Sequence, residues 1–252
     1  MLKYIHVKLF FAILLVIMLG LDMYGVSFSN YWYGIVVLFF LLFVATGSYF
    51  IQWNFFLESS NNGNPNSNEI SLTFDDGPHE TLTPKVLKLL DEFDAKATFF
   101  CIGKKVKYNQ VLVNEIINKG HSVGNHSYAH QHNFPILSVN KMIDEIEKTN
   151  ILIENNNGKR LFRPPFGITN PRIARAVKKT KMKTIGWNVR SYDTIGDRAE
   201  KVVQRVMKKM KGGAIILLHD DRDDVVQILE GILQFMKKQN LKSVKVEDLL
   251  KI

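Results

Sequence analysis

From residue 69 to the C-terminus, short apolar runs alternate with longer stretches of helical apolar spacing, and no other feature limits the fold as much. The strand-like runs are 70–74, 97–102, 121–123, 183–189, 214–218 and 243–246. Between them, Val86, Leu87, Leu90 and Phe93 recur at helical spacing. So do Val202, Val203, Val206, Met207 and Met210, and again Val225, Ile228, Leu229, Ile232, Leu233 and Met236. Such stripes mark the buried face of a helix, so these residues are core positions and not a cofactor box. Strands separated by helices pair in parallel, with the helices outside. Periodicity alone does not choose between an open sheet and a barrel.

The first sixty residues obey a different rule. Residues 9–21 carry no polar side chain, and residues 31–51 hold only Thr46 and Ser48 as mildly polar members. The second stretch, as a helix, spans about 30 Å, the thickness of a hydrocarbon core. Tyr31, Trp32, Tyr33, Tyr49 and Trp53 mark its ends as an aromatic belt does. Two readings fit the first stretch. Lys3 and Lys8 before a short apolar core suit a signal peptide. The lack of a small-x-small cleavage pattern, and the polar connection framed by Asp22 and Asn30, favour a two-helix hairpin. The expected organisation is therefore a membrane hairpin over 1–56, with helices at about 7–26 and 31–52. An Asn-rich linker at 57–68 then lets a catalytic domain at 69–252 stand off the bilayer. The expected location is a bacterial-type inner or plasma membrane, multi-pass. Lys3 and Lys8 put the N-terminus inside and, for a hairpin, the domain inside too; a single span would put the domain outside.

Charge is equally divided in function. Lys3, Lys8, Asp22 and Glu58 cancel over residues 1–60, so the remainder carries the whole net charge of +9. Clusters such as Lys178-Lys179-Thr180-Lys181 and Lys208-Lys209-Met210-Lys211 fall at expected helix ends, where they complement the helix dipole. The functional alternative is contact with an anionic surface, either phospholipid or acidic glycan. Nucleic acid is excluded as a partner: the basic residues are scattered over several helices with no binding motif. The single cysteine, Cys101, lies in an apolar run and reads as core. It rules out an internal disulfide and a thiolate zinc site.

The chemistry is concentrated in Thr73-Phe74-Asp75-Asp76-Gly77-Pro78, where a strand runs into a turn. Neighbouring carboxylates repel, and a metal ion is what reverses that balance. His126-Ser127-Tyr128-Ala129-His130 sets two imidazoles four residues apart, on one face if the segment is a helical turn. Asp76, His126 and His130 make one carboxylate and two imidazoles with coordination positions left over. Their type suits Zn2+, with Co2+, Ni2+ or Fe2+ also open. Asp75 points away from the ion if the backbone stays extended, and is placed to take a proton beside it. His219 follows the apolar run 214–218 and so emerges at a strand's end. The sequon Asn125-His126-Ser127 overlaps the metal motif and is read as coincidence.

Three further motifs complete an ordered set: Arg163-Pro164-Pro165-Phe166-Gly167, then Trp187-Asn188-Val189 leading to Asp193, then Ile215-Ile216-Leu217-Leu218-His219-Asp220. Over roughly 68–252 this order resembles the NodB-type polysaccharide deacetylases, carbohydrate esterase family 4. The resemblance implies an α/β fold, a distorted, incomplete (β/α)7-type barrel, here preceded by two transmembrane helices. It implies a hydrolase of carbon–nitrogen bonds that removes acetyl groups from N-acetylhexosamine glycans such as peptidoglycan, chitooligosaccharide or exopolysaccharide. It makes Asp76, His126 and His130 the metal ligands and Asp75 the general base. Arg163 then holds Asp75, His219 is the general acid and Asp193 its partner. The N–H of Phe166 supports the oxyanion, and Leu217 lies against the acyl methyl. Two positions depart from the family pattern. Arg190 stands where an Asp is common, and Thr194 where a Trp commonly walls the acyl pocket. Arg190 is expected to meet an anionic group on the substrate. The departures and the membrane end keep two alternatives open: a deacylase of a lipid-linked amino sugar or non-sugar amide, and an inactive glycan-binding module.

Overall fold

The computed structural model describes residues 2–153 and 160–252. The central strand β1, Glu69–Asp75, is buried on both faces. Ile70, Leu72 and Phe74 join the large cluster beneath the helices, whereas Thr73 and Asp75 are bonded within the sheet's concave interior. Strands β2 (Ala97–Cys101), β3 (Ser122–Asn125), β4 (Leu161–Phe162), β5 (Lys183–Thr184), β6 (Val189–Arg190), β7 (Ile215–His219) and β8 (Lys242–Ser243) complete the sheet. All pairs are parallel, in the order β5-β4-β3-β2-β1-β7-β6, and β8 adds to the start of β1. This is the curled, incomplete barrel that the resemblance implied.

Helices α3 (Leu82–Glu92), α4 (Gly103–Tyr108), α5 (Gln110–Asn118), α6 (Val139–Ile153), α7 (Pro171–Lys179), α8 (Ala199–Lys209), α9 (Val225–Lys238) and α10 (Val246–Leu250) follow the strands. The six apolar residues expected on α9 are all buried, and each such side chain contributes about 1.5–3 kcal/mol. Cys101 is buried core, and burial raises its thiol pKa well above the usual value. The basic clusters do cap helices: Lys178 and Lys179 end α7, and Lys208 and Lys209 end α8.

Three sequence readings need correction. The run 183–189 is not one strand. It breaks at Gly186, so that β5 pairs with β4 while β6 pairs with β7, and the two sheet edges are held by successive halves of one segment. In the run 243–246 only Ser243 is strand, with Val244 adding one bond to the Ile70 carbonyl, and α10 begins at Val246. The segment 57–68 is not a free spacer. Ser60 bonds Thr184 and Gly186 across the break, Asn61 is buried, and Gly63 donates to the Gly213 carbonyl. Ile51, ahead of it, packs in the barrel interior with Phe100, Trp187 and Leu217. A Cβ at Gly186 would collide with Asn61 and press on Ile51, so this close approach requires glycine.

Two helices precede the barrel, α1 (Tyr4–Met23) and α2 (Asn30–Tyr49), both long and apolar enough to cross a membrane. They lie about three residues or less from the expected starts and form an antiparallel pair. Their free ends meet the domain together: Tyr4 N–H donates to Phe55 O, and Phe55 packs with Val7 and Phe11. Gly47 lets Phe55 lie directly on α2.

Candidate active site

Every candidate residue except Leu217, which lies in the middle of β7, sits at or beyond the C-terminal end of a strand, where a parallel sheet presents its loops. Asp75 ends β1, and Asp76 leaves it with φ of 70°. That left-handed turn swings the second carboxylate back toward the first. The two were expected on opposite faces, yet Asp75 Oδ2 and Asp76 Oδ1 lie 3.7 and 3.6 Å from one atom, His126 Nε2. Arg163, and not strand alternation, separates their roles.

His126 and His130 were expected on a helical turn; they lie on a loop. Ser127 and His130 have positive φ of 64° and 48°. Asn125 Oδ1 accepts from the Ser127 N–H at 2.8 Å, and Ser127 Oγ accepts from the His130 N–H at 3.1 Å. This bonded turn brings the two rings to a centroid separation of 4.6 Å. His126 Nδ1 is 2.7 Å from the Arg163 carbonyl, which can only accept. Nδ1 therefore carries the proton and Nε2 presents its lone pair.

Among the described residues, Asp76, His126 and His130 form the one group of His, Cys, Asp or Glu whose atoms converge as metal ligands do. Asp76 Oδ1 and His130 Nε2 face each other at 3.4 Å, both buried and without a hydrogen-bond partner. Orphaned polar atoms of this kind are costly unless something binds them. In a tetrahedral site with bonds near 2.0–2.1 Å, ligand atoms stand about 3.3–3.5 Å apart, so a divalent ion fits this set. Protonation agrees. Burial acts to raise the Asp76 carboxyl, but the positive charge gathered around it, to which His219 and Lys105 contribute, holds it below the usual value. Burial, with His126 alongside, pushes His130 down to about 4, leaving it neutral as a ligand must be.

Arg163 is completely buried over the Phe100 ring, 4.1 Å from its centroid. It donates to Asp75 Oδ1 at 2.6 Å, to Thr73 Oγ1 at 2.8 Å, and to the carbonyls of Gly186 and Ile185 at 2.9 and 3.2 Å. Burial draws its pKa below the usual arginine value, with the Asp75 charge opposing. Across the site, Asp193 holds His219 twice, through Nδ1 at 2.8 Å and through the backbone N–H at 2.9 Å. Burial would lower the His219 pKa, but the Asp193 hydrogen bond and charge, with Asp75 and Asp76 beyond, carry it to about 9. Its Nδ1–H is committed to Asp193, and Nε2 is left for proton exchange.

The remaining candidates divide. Phe166, with φ of 60°, packs on His130 and stacks on His132, at centroid distances of 4.7 and 5.5 Å. Leu217 is buried in the barrel interior two residues below His219. Thr194 is exposed beside 221–224 and leaves the edge open where the family commonly has Trp. Arg190 departs from its expected role. Its guanidinium donates to Tyr49 Oη on α2 at 3.2 Å and lies over the rings of Tyr192, Tyr49 and Trp187. Asn125 is fully buried, its amide donating to Ile146 O and Asn150 Oδ1, so the sequon is out of reach of a glycan donor.

Three supporting residues escaped the sequence reading. Thr73 and Asn125 carried no signal beyond standing next to the motifs. Asp220 stood inside one without a role. It is fully buried, takes a 2.5 Å bond from Thr83 Oγ1, and sits so close to Gly77 that a Cβ there would strike its carboxylate. Burial raises its pKa to about 7. It braces the turn that carries Asp76.

Comparison with known proteins identifies the family and the fold. The family model for polysaccharide deacetylase matches residues 62–185. A peptidoglycan-N-acetylglucosamine deacetylase of Bacillus cereus is 37% identical over 203 residues, 74% of this chain and 91% of that protein. A chitooligosaccharide deacetylase of Azorhizobium caulinodans is 33% identical, over 62% of this chain and 75% of its own. The crystal structure of a CE4 family pseudoenzyme from Bacillus anthracis superposes with a TM-score of 0.69 at 31% identity, covering 76% of this chain and 68% of that one. The chain belongs to the polysaccharide deacetylase family.

Proposed function

We propose that this protein is a membrane-anchored, metal-dependent N-deacetylase of N-acetylhexosamine glycans. The observation that carries it is the convergence of three units at one end of the sheet: Asp75 on Arg163, Asp76 with the two histidines, and His219 on Asp193. The relatives that act on peptidoglycan and chitooligosaccharide supply the substrate class.

Asp76, His126 and His130 would hold the cation, with Zn2+ the best match to one carboxylate and two imidazoles. When bound, it supplies Lewis acidity, acidifying a water and polarising the acetamido carbonyl. Asp75, fixed by Arg163 through Oδ1, takes the proton of the attacking water. As the water oxygen bonds the carbonyl carbon, the N–H of Phe166 supports the developing oxyanion. His219, protonated through its pairing with Asp193, gives the Nε2 proton to the amide nitrogen. The C–N bond breaks, acetate leaves and the free amine remains on the sugar. Leu217 backs the acetyl methyl.

In this reading 69–252 is the catalytic domain and 1–56 the membrane hairpin. The end of α2 bonds the domain through Ser48 and Thr169, and the start of α1 bonds Phe55 just beyond α2; if both helices span, the N-terminus and the catalytic domain share one side of the membrane. An inactive binding module is the less favoured reading, because base, acid and ligand positions are all filled. The test is acetate release by the full chain in detergent from N-acetylglucosamine oligomers and from peptidoglycan. Release that is lost with a chelator and restored by Zn2+ or Co2+ is expected. A folded protein with stoichiometric metal and no release from either of these, nor from an N-acetylglucosamine carried on a lipid, would sink the proposal.

A further inference from the structure

The end of α2 is fixed to the same face of the barrel that carries the site. Ser48 Oγ donates to the Thr169 carbonyl at 2.6 Å, and the Thr169 N–H donates to the Ser48 carbonyl at 3.0 Å. Thr169 belongs to the loop that leaves β4 and bears Phe166, whose ring packs on His130. The same loop continues into Asn170 and Arg172, which bond the carbonyls of Pro135 and Ile136 at 2.7 and 2.8 Å. Tyr49, the last residue of α2, is pinned by Arg190. No slack separates the span from the barrel, because Ile51 is already in the interior. A bilayer that ends near Tyr49 therefore ends at the rim of the site.

Surface character points the same way. Ile136 and Ile195 are 73% and 63% exposed, each on a loop that follows a strand on the site's face, while the other large exposed apolar side chains of the domain, Tyr108, Val111 and Ile151, lie on helices α4, α5 and α6. Among the described residues, no loop at the opposite end of the sheet exposes a large apolar side chain. That opposite end instead collects the lysines that close α7, α8 and α9. The phospholipid contact considered for those clusters is on the wrong face. Lys3 and Lys8 lie at the end of α1 that shares the domain's side, and the connection 24–29 has no basic residue. That is the charge arrangement of a cytoplasmic face. A finished wall polymer is out of reach from there, whereas an amino sugar carried on a membrane lipid is not.

We infer that the site opens onto the bilayer surface and that its substrate is an N-acetylated amino sugar carried on a lipid in that bilayer. This rests on the deacetylase reading and narrows it. In place of an Asp common in the family, Arg190 serves as the clamp that orients the barrel on α2.

The test uses the full chain in phosphatidylethanolamine–phosphatidylglycerol vesicles. A fluorophore is placed on Ile136→Cys in one sample and on Asn240→Cys, at the far end, in another; Cys101 is buried and does not label. Headgroup-nitroxide lipids should quench the first label at least about fivefold more than the second. Acetate release is then compared, at equal total sugar, for N-acetylglucosamine diphospho-polyprenol in the vesicles and for soluble tetra-N-acetylchitotetraose. At least a tenfold faster release from the lipid-carried sugar supports the inference. Equal quenching at the two positions overturns the orientation. Unequal quenching with the oligomer cleaved as fast overturns the substrate class and leaves the deacetylase reading standing. Unequal quenching with no release from either, metal being bound, overturns the deacetylase reading and the substrate with it.

Discussion

Two carboxylate–cation pairs face each other across the site, and they are built for opposite tasks. Asp75 is paired with a guanidinium that is wholly buried, holds four hydrogen bonds and cannot lose its proton at working pH. Asp193 is paired with an imidazole whose charge is conditional. The first pair fixes a negative charge, as a base needs. The second keeps a proton available and can release it, as an acid needs. Partners of such different character let a single site hold a base and an acid together.

The largest effect is expected at the fixed pair. Arg163→Met leaves Asp75 buried without its cation and should cost about 3–5 kcal/mol in denaturant unfolding. Adding Asp75→Asn should recover part of it, since the unpaired charge is then gone. Equal stability of the single and double variants would show that packing, not charge, was lost.

The conditional pair should cost less, because His219 can become neutral. Asp193→Asn should reduce kcat on the order of 100-fold. In metal-free protein the His219 pKa should fall from about 9 toward the ordinary histidine range, read by NMR titration. The pair's folded pKa is raised, so its stabilisation is complete below about pH 6.5 and fades as pH rises through about 9. A raised value of this size corresponds to on the order of 3 kcal/mol. Unfolding free energy should therefore fall across pH 6.5–9 in the parent and stay flat there in Asp193→Asn. A bound dication nearby repels the imidazolium, so metal loading should lower the His219 pKa and move the alkaline limb of activity to lower pH.

The smallest effect is at the clamp on α2. Arg190→Ala removes an exposed bond and three ring contacts, worth under about 1 kcal/mol in stability. It should leave kcat on a soluble oligomer within about twofold.

Much of this architecture is legible in the sequence. Strands β1, β2 and β7 carry strong apolar signals because each is buried along its length, and helix α9 carries a helical period because it buries one face. The ligands and the two pairs are legible because they stand at strand ends within an ordered motif set. The rest depends on contacts that no local pattern records. Strand β4 has two residues, too few for a period. The break at Gly186 exists because Ile51 and Asn61 occupy its place, far away in sequence. Segment 57–68 looks like a linker by composition, and is ordered by partners on β5 and before β7. The left-handed turns at Asp76, Ser127 and His130 replace an extended and a helical expectation with the same ligand set. Arg190 had no visible partner because Tyr49 lies 141 residues before it.

The most direct measurement is acetate release and metal content together for the parent chain and Asp75→Asn, reconstituted side by side with Zn2+ or Co2+. Asp75 donates no ligand in this account, so the variant should bind one equivalent of metal while its kcat falls about a thousandfold. A variant that keeps most of its activity, or one that loses its metal along with its activity, would contradict the assignment of Asp75 as the base held by Arg163.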